Sequence, residues 1–363
     1  MNFRNLRLST FNLINNLRCK ANAYKYKRFV KNEIKKGNYY QGSEEEFKEK
    51  VLPYWDKISN NTYRPKKYWY QYYGNRLQSF DPKIIPMDLF QNEIMPYMNN
   101  YIIQDTINNK FYFEYIMNDI KKAKDVVKYI NGFLLDANNN LISFSDLESI
   151  LKNHQQLIIK PIDGEKGHGI KKLYLDKDYL SVIKEIKKRM KNEEFIIQEI
   201  IEQSPQLDNF NESSVNTIRV LSLLMKDRVE ILSAIVRVGS KGSEVDNYSQ
   251  GGDCRPIDIK TNKLKGYMMK GDRFFNKDSE GKEIGEPEIL GFDKVIETVK
   301  KIHPRVPHLR WVGWDFAIDK NLEAVFIELN GLAGENQSED GPIFGDVSDE
   351  FLTEFFNYRN KKS

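Results

Sequence analysis

WVGWDFAIDKNLEAVFIELNG, residues 311–331, reads as two apolar runs folded about a polar turn, an antiparallel hairpin. With the turn centred on Asn321–Leu322, Asp315 falls directly opposite Glu328. Asn330, two residues on, shares the face of Glu328. The other face collects Phe316, Ile318, Val325, Ile327 and Leu329, and burying that surface fixes the register, because a one-residue slip would bury the acids instead. Cross-strand neighbours have Cβ atoms about 4.5–5.5 Å apart, where like charges destabilise, so a cation is expected beside the pair. Two carboxylates and an amide carbonyl are hard oxygen ligands and suit Mg²⁺ bridged to phosphates. Taken alone, the same three residues fit the wet face of an ordinary hairpin equally well.

Working upstream, Gln156–Pro161 (QLIIKP) is a short β run ending on Lys160, and KKLYL after residue 170 is another. Between them, DGEKGHGI carries Gly164, Gly167 and Gly169, whose backbone N–H groups can form an anion-binding nest. Lys160 adds a point charge for phosphate, with Lys166 or His168 placed to reach a terminal phosphate. A strand rather than a helix follows, so the loop is neither a Walker A motif nor a dinucleotide fingerprint. Glycine-rich hairpin tips are common, and a lone histidine there is more often a plain loop residue. Helical spacing returns over 179–192, followed by strand-like FIIQEII (195–201), NTIRVLSLLM (216–225) and VEILSAIVRVG (229–239). Strands and helices mix without βαβ alternation, which predicts an α+β fold with largely antiparallel sheets.

The rest of the chain sets bounds. With 363 residues, 40% hydrophobic and 30% charged, it can bury a sizeable core in two or three lobes. A net charge of +4 gives no case for nucleic acid, and no nucleic-acid module is visible. No apolar run is long enough to span a membrane, no secretory signal is evident, and Cys19 and Cys254 suggest neither a disulfide framework nor metal spacing, so the cytoplasm is expected. Residues 1–85 read as a helical, aromatic-rich extension broken by Pro53, Pro65, Pro82 and Pro86, with a short charged helix at 42–57 that Pro53 interrupts or ends. Residues 86–135 read as helical, and no internal repeat is apparent. The first forty residues hold ten Lys/Arg against one acid, Glu33: a solvated helical face, or a basic element for an anionic membrane or polyanionic substrate.

Taken in order, these elements resemble the ATP-grasp superfamily. The Asp315, Glu328 and Asn330 spacing looks like that of D-alanine–D-alanine ligases. A closer likeness is to the sugar-transfer-associated ATP-grasp family of bacterial capsule and surface-polysaccharide clusters. It is carried by SFDPKIIPMDLF (79–90), NNKF (108–111), IIKPIDGEKGHGI (158–170), SSVNTIRV (213–220), VRVGSKGSEVDNYSQGGDCRPID (236–258), the hairpin and GPIFGD (341–346), roughly residues 80–350. The resemblance implies two α+β subdomains clasping ATP between antiparallel sheets: an N-side and lid unit at 86–200 and a C-terminal unit at 201–363, after the 1–85 extension. It implies that Lys110, Lys160 and the loop of Gly164, Lys166, Gly167, His168 and Gly169 hold phosphates. Gln198, Glu199 and Ile201 would hold adenine, and Asp208 or Gln206 the ribose. Asp315, Glu328 and Asn330 would hold Mg²⁺, as one ion or two, with Mn²⁺ able to substitute. Arg219 would stabilise the γ-phosphate or an acyl phosphate, and Arg237, Asp246, Asn247, Gly251 and Gly252 would line the acceptor side. The implied reaction joins a small-molecule or saccharide carboxylate to an amine through an acyl phosphate. Phosphotransfer to a hydroxyl, and nucleotide binding without chemistry, are the alternatives.

Overall fold

The computed structural model describes residues 3–36, 39–74, 78–163, 167–239, 252–270, 273–277, 282–334, 337 and 341–362. Two antiparallel sheets dominate. The smaller is built from β1 (Asp125–Ile130), β2 (Phe133–Asp136), β3 (Gln156–Pro161), β4 (Lys171–Tyr174) and β5 (Phe195–Gln198), in the order β2-β1-β5-β3-β4. The larger comprises β6 (Thr217–Leu224), β7 (Val229–Val238), β8 (Asp253–Asp258), β9 (Lys263–Leu264), β10 (Met268–Lys270), β11 (Arg273–Phe275), β12 (Trp311–Ile318) and β13 (Ala324–Asn330). Its order is β11-β10-β8-β7-β6-β12-β13, with β9 paired to β8.

The helical reading of 86–135 holds only to Ile116. Beyond it, β1 and β2 form a hairpin turned by Asn131 and Gly132, both at positive φ (48° and 84°). Asn-Gly between apolar runs is a strong hairpin signal, because both turn positions must be left-handed. The β3–β4 hairpin lies as expected, from Gln156↔Tyr174 to Ile159↔Lys171. Gly169 at its tip has φ +77°, and a Cβ there would sit 2.6 Å from the Pro161 ring, so that position requires glycine. Alternation sends Leu157 and Ile159 into the small-sheet core and turns Ile158 and Lys160 the other way.

In the larger sheet Asp315 pairs with Glu328 as predicted, but the next pair is Phe316↔Phe326. The extra residue is a β-bulge, which turns Ile327 out of the apolar face where strict alternation placed it and leaves it half-buried. Nor is the acid face fully wet: all eight residues of β12 are buried, while Glu328 and Asn330 on β13 are half-buried. The helix Phe292–Ile302 covers the other face through Phe292, Val295, Val299 and Ile302, packed with Trp314, Phe316 and Ile318.

The N-terminal segment is welded to the C-terminal end of the chain. Trp55, Trp69, Tyr70 and Phe90 share a core with Trp311, Phe344, Phe351, Phe355 and Phe356. Pro53 does not end its helix, which continues to Ile58 after the π-helical turn Phe47–Val51. That wider turn, closed by Leu52 N–H to the Phe47 carbonyl, accommodates a proline that cannot donate a hydrogen bond. The device occurs twice. FKEKVLPYW (47–55) and FQNEIMPYM (90–98) each pair a π-turn with a following proline, a short repeat missed in the sequence. Both bury positions one, five and nine of the motif. The matching tyrosines, Tyr54 and Tyr97, donate to Asp349 (2.9 Å) and Glu354 (2.6 Å) on the C-terminal helix Ser348–Lys362.

His303 lies in the large-sheet core and is fully satisfied as a neutral ring. Nδ1 accepts from Ser222 Oγ (2.8 Å), Nε2 faces the Leu309 carbonyl (2.9 Å), and Ser222 in turn accepts from the Trp314 indole (2.7 Å). Burial pushes its pKa down to about 4, with the Leu309 contact opposing. Because the folded value lies below the unfolded one of about 6.5, this contribution is full above that pH and is lost as pH falls towards 4. The loss integrates to roughly 3 kcal/mol. Urea unfolding followed from pH 7 to 4.5 should show that decline, and His303→Gln should flatten it.

Candidate active site

Ile158, Lys160, Ile170, Lys172, Ile196 and Gln198 present one face of the small sheet to a cleft whose far wall is Phe326, Ile327, Glu328 and Asp315 of the large sheet. The cleft is partly open to solvent. Two lysines stitch the lobes together. Lys110 donates to the Ile162 carbonyl (3.2 Å) and lies 3.7 Å from Glu328. Lys172 donates to the Ser213 carbonyl (2.8 Å) in the loop before β6. The loop is held rigid by Gln203, Asn211, Ser214 and Asn216, buried amides and a hydroxyl that bond one another and nearby backbone.

The charge centre is the row Glu328, Asp315, Arg219 across β13, β12 and β6. Arg219 is the direct cross-strand partner of Asp315 and grips both its oxygens (Nε 2.7 Å, Nη 2.6 Å), while Arg237 adds a contact of 3.3 Å. The Asp315 side chain is only 3% exposed. Burial raises its carboxyl, but the two guanidinium charges outweigh burial and hold it below the usual carboxylate range. Glu328 goes the other way: burial and then the negative charge of Asp315 raise it, with Lys110 opposing. Glu328 is therefore an acid whose charge is underpaid by its surroundings. A small hard dication would relieve that repulsion, so the all-oxygen donor set fits Mg²⁺. Among the described residues no three His, Cys, Asp or Glu converge as a metal site, and Asn330 ends β13 two residues beyond Glu328. Its Oδ1 already accepts from Leu332 N–H (2.9 Å), with one lone pair left over.

The sequence pattern of a family described as sugar-transfer associated ATP-grasp matches residues 89–337, more than half of the chain. This chain belongs to that family. The two sheets and their cleft are thus those of an ATP-grasp fold, with a helical N-terminal region. Among curated proteins none matches. Solved structures that are similar include the ATP-grasp ligase PsnB in complex with precursor peptide PsnA2 and AMPPNP (12% identity, TM-score 0.40, covering 71% of this chain and 61% of that one). Others are an L-amino acid ligase from Bacillus licheniformis (12%, 0.38, 69% and 48%) and D-alanyl-alanine synthetase A from Vibrio cholerae (12%, 0.41, 71% and 66%). The chain spans 61% of the length of the first of these.

In this ATP-grasp cleft the fold brings together Lys110, Lys160, Gly167, His168, Gln198, Glu199, Ile201, Arg237, Asp315 and Glu328. Arg219 is bound to Asp315 and is not among the lining residues, and neither are Gly169 and Asn330. Asp208 is exposed at the end of the short helix Pro205–Asp208, outside the lining, and Gln206 is spent on Glu288 and Leu290 backbone. Gly164, Lys166, Asp246, Asn247 and Gly251 lie outside the described residues; Gly252 is buried. Glu114, Lys122, Asp125, Lys172 and Thr217 also line the cleft and were missed. Asp125 and Lys172 carried a signal, for both lie on strands whose alternation points them with Gln198 and Ile158.

Proposed function

We propose that this protein is an ATP- and magnesium-dependent ligase that joins a carboxylate to an amine. One observation carries the reading: a single cleft gathers Lys110, Lys160 and Arg237 against the facing acids Asp315 and Glu328, with Ile158 and Ile196 opposite Phe326 and Ile327 as apolar walls for a flat base. Phosphoryl transfer needs positioning and charge neutralisation more than covalent help, and three cations around paired acids provide that. Lys110 and Lys160 hold phosphate oxygens, the Gly167–Gly169 backbone closes over them, and Gln198, Glu199 and Ile201 border the base. Glu328 and Asn330, with Asp315 beside them, would hold the metal, which would neutralise phosphate charge. Arg219 fixes Asp315, a role that stands in place of the phosphate contact implied by the resemblance. The substrate carboxylate oxygen takes the γ-phosphoryl group and ADP leaves. The amine nitrogen then bonds to the acyl carbon, phosphate departs, and the amine gives up a proton.

We place the reaction in the cytoplasm, with a uronic acid or related sugar precursor of surface polysaccharide as the carboxylate and an amino acid or amino alcohol as the amine. A screen of such acids crossed with amines, read by ADP release and product mass, tests this. ADP and an amide mass that appear only when both are present support ligation. ADP with a phosphorylated alcohol would overturn it.

No described helix is long and apolar enough to cross a membrane. The helix Phe3–Lys35 packs on the body through Ala23 and Val30, whereas Leu13, Ile14, Leu17 and Tyr24 are exposed among its cations. In this reading it rests on an anionic membrane surface. The protein should co-sediment with phosphatidylglycerol vesicles, lose that at 0.5 M salt (on the order of a 3–5 Å screening length), and ignore phosphatidylcholine.

A further inference from the structure

Lys128 is the fully buried cation of the small sheet, and the function proposed above gives it no role. Its ammonium group donates to Glu114 (2.6 Å) and Asn139 (2.8 Å) and forms an ion pair with Asp125, whose Oδ2 lies 3.2 Å away. The other Asp125 oxygen, Oδ1, accepts from Gln198 Nε2 at 2.8 Å. A carboxylate held against an ammonium group can only accept, so this contact fixes which way the Gln198 amide faces. Its NH₂ points along the sheet to Asp125, and its carbonyl is the group left to serve the cleft that Gln198 lines. Register places Gln198 between Asp125 on β1 and Ile158 on β3, beside the apolar slot.

We propose that Lys128 and Asp125 are positioning residues that set base selectivity, locking Gln198 as a hydrogen-bond acceptor for the exocyclic amine of adenine and against the carbonyl oxygen of guanine. The inference rests on the nucleotide reading of the cleft. An acceptor facing an acceptor leaves both desolvated and unpaired, which is how buried polar groups discriminate between ligands of one shape.

Asp125→Asn is the decisive variant. Its side-chain oxygen stays with Lys128, so its NH₂ meets Gln198 and turns the glutamine amide over, presenting a donor to the cleft. Calorimetric dissociation constants for ATP and GTP, measured with Mg²⁺ and no acceptor substrates, read the effect. Wild type should favour ATP, and Asp125→Asn should narrow or invert the ATP:GTP ratio by about tenfold or more, the equivalent of one hydrogen bond. Gln198→Met, which keeps the shape, should weaken ATP and leave GTP unchanged. A merely structural role would weaken both nucleotides in parallel. A selective wild type whose ratio is unchanged in Asp125→Asn overturns the relay, and an unchanged ratio in Gln198→Met overturns the Gln198 contact as well. Failure of wild type to bind either nucleotide removes the reading beneath it as well.

Discussion

Asp315→Ala will lower the unfolding free energy by roughly 3–5 kcal/mol, the penalty for stranding a buried charge. Two guanidinium groups, Arg219 and Arg237, converge on one carboxylate, and their side chains are only 19% and 16% exposed. Without Asp315 they face each other with little water to screen them. The melting temperature should fall by about 4–7 °C, read by calorimetry. Asp315→Asn keeps the shape and one acceptor and should cost visibly less. A loss under about 1 kcal/mol for the alanine variant would mean that the arginines find other partners. Lost activity in Asp315→Ala therefore says little about chemistry, because the residue is part of the fold before it is part of a site.

Glu328→Gln should behave in the opposite way. Its carboxyl is raised by burial and by Asp315, so its charge is a burden on the folded state rather than a support. The amide is nearly isosteric and removes the repulsion, and the melting temperature should hold or rise. Catalysis should fall by about 10²–10³-fold or more, typical of losing one preorganised charge-stabilising group. The Mg²⁺ dependence of nucleotide binding should weaken with it. If ADP formation persisted at the wild-type rate in Glu328→Gln, the metal assignment would be wrong. Together the two variants separate the acid that holds the sheet from the acid proposed to hold the ion.

Much of the site was legible locally. Period-two alternation and an apolar face put Asp315 opposite Glu328, and that pairing is present. The lysine before a glycine-rich tip was equally legible, and Lys160 does line the cleft. What escaped was of two kinds. The Asn131–Gly132 hairpin and the paired FKEKVLPYW and FQNEIMPYM motifs were written in the chain and went unread, the first because aromatic and aliphatic residues either side of it also fit a helical period. Asp208 was misplaced relative to the cleft because the direction of a four-residue helix depends on what it packs against.

The cation expected beside the two acids shows where sequence stops. Local chemistry demanded a positive charge but could not name it, since strand order is chosen by packing across the whole sheet. β6 happens to lie against β12, which sets Arg219 opposite Asp315 across 96 residues of chain, and β7 follows with Arg237. The hairpin by itself determined that two carboxylates would meet. Only the tertiary structure decided that one would be locked in an ion pair and the other left with its charge poorly offset, because burial and neighbouring charge are properties of the assembled sheet and not of the strand.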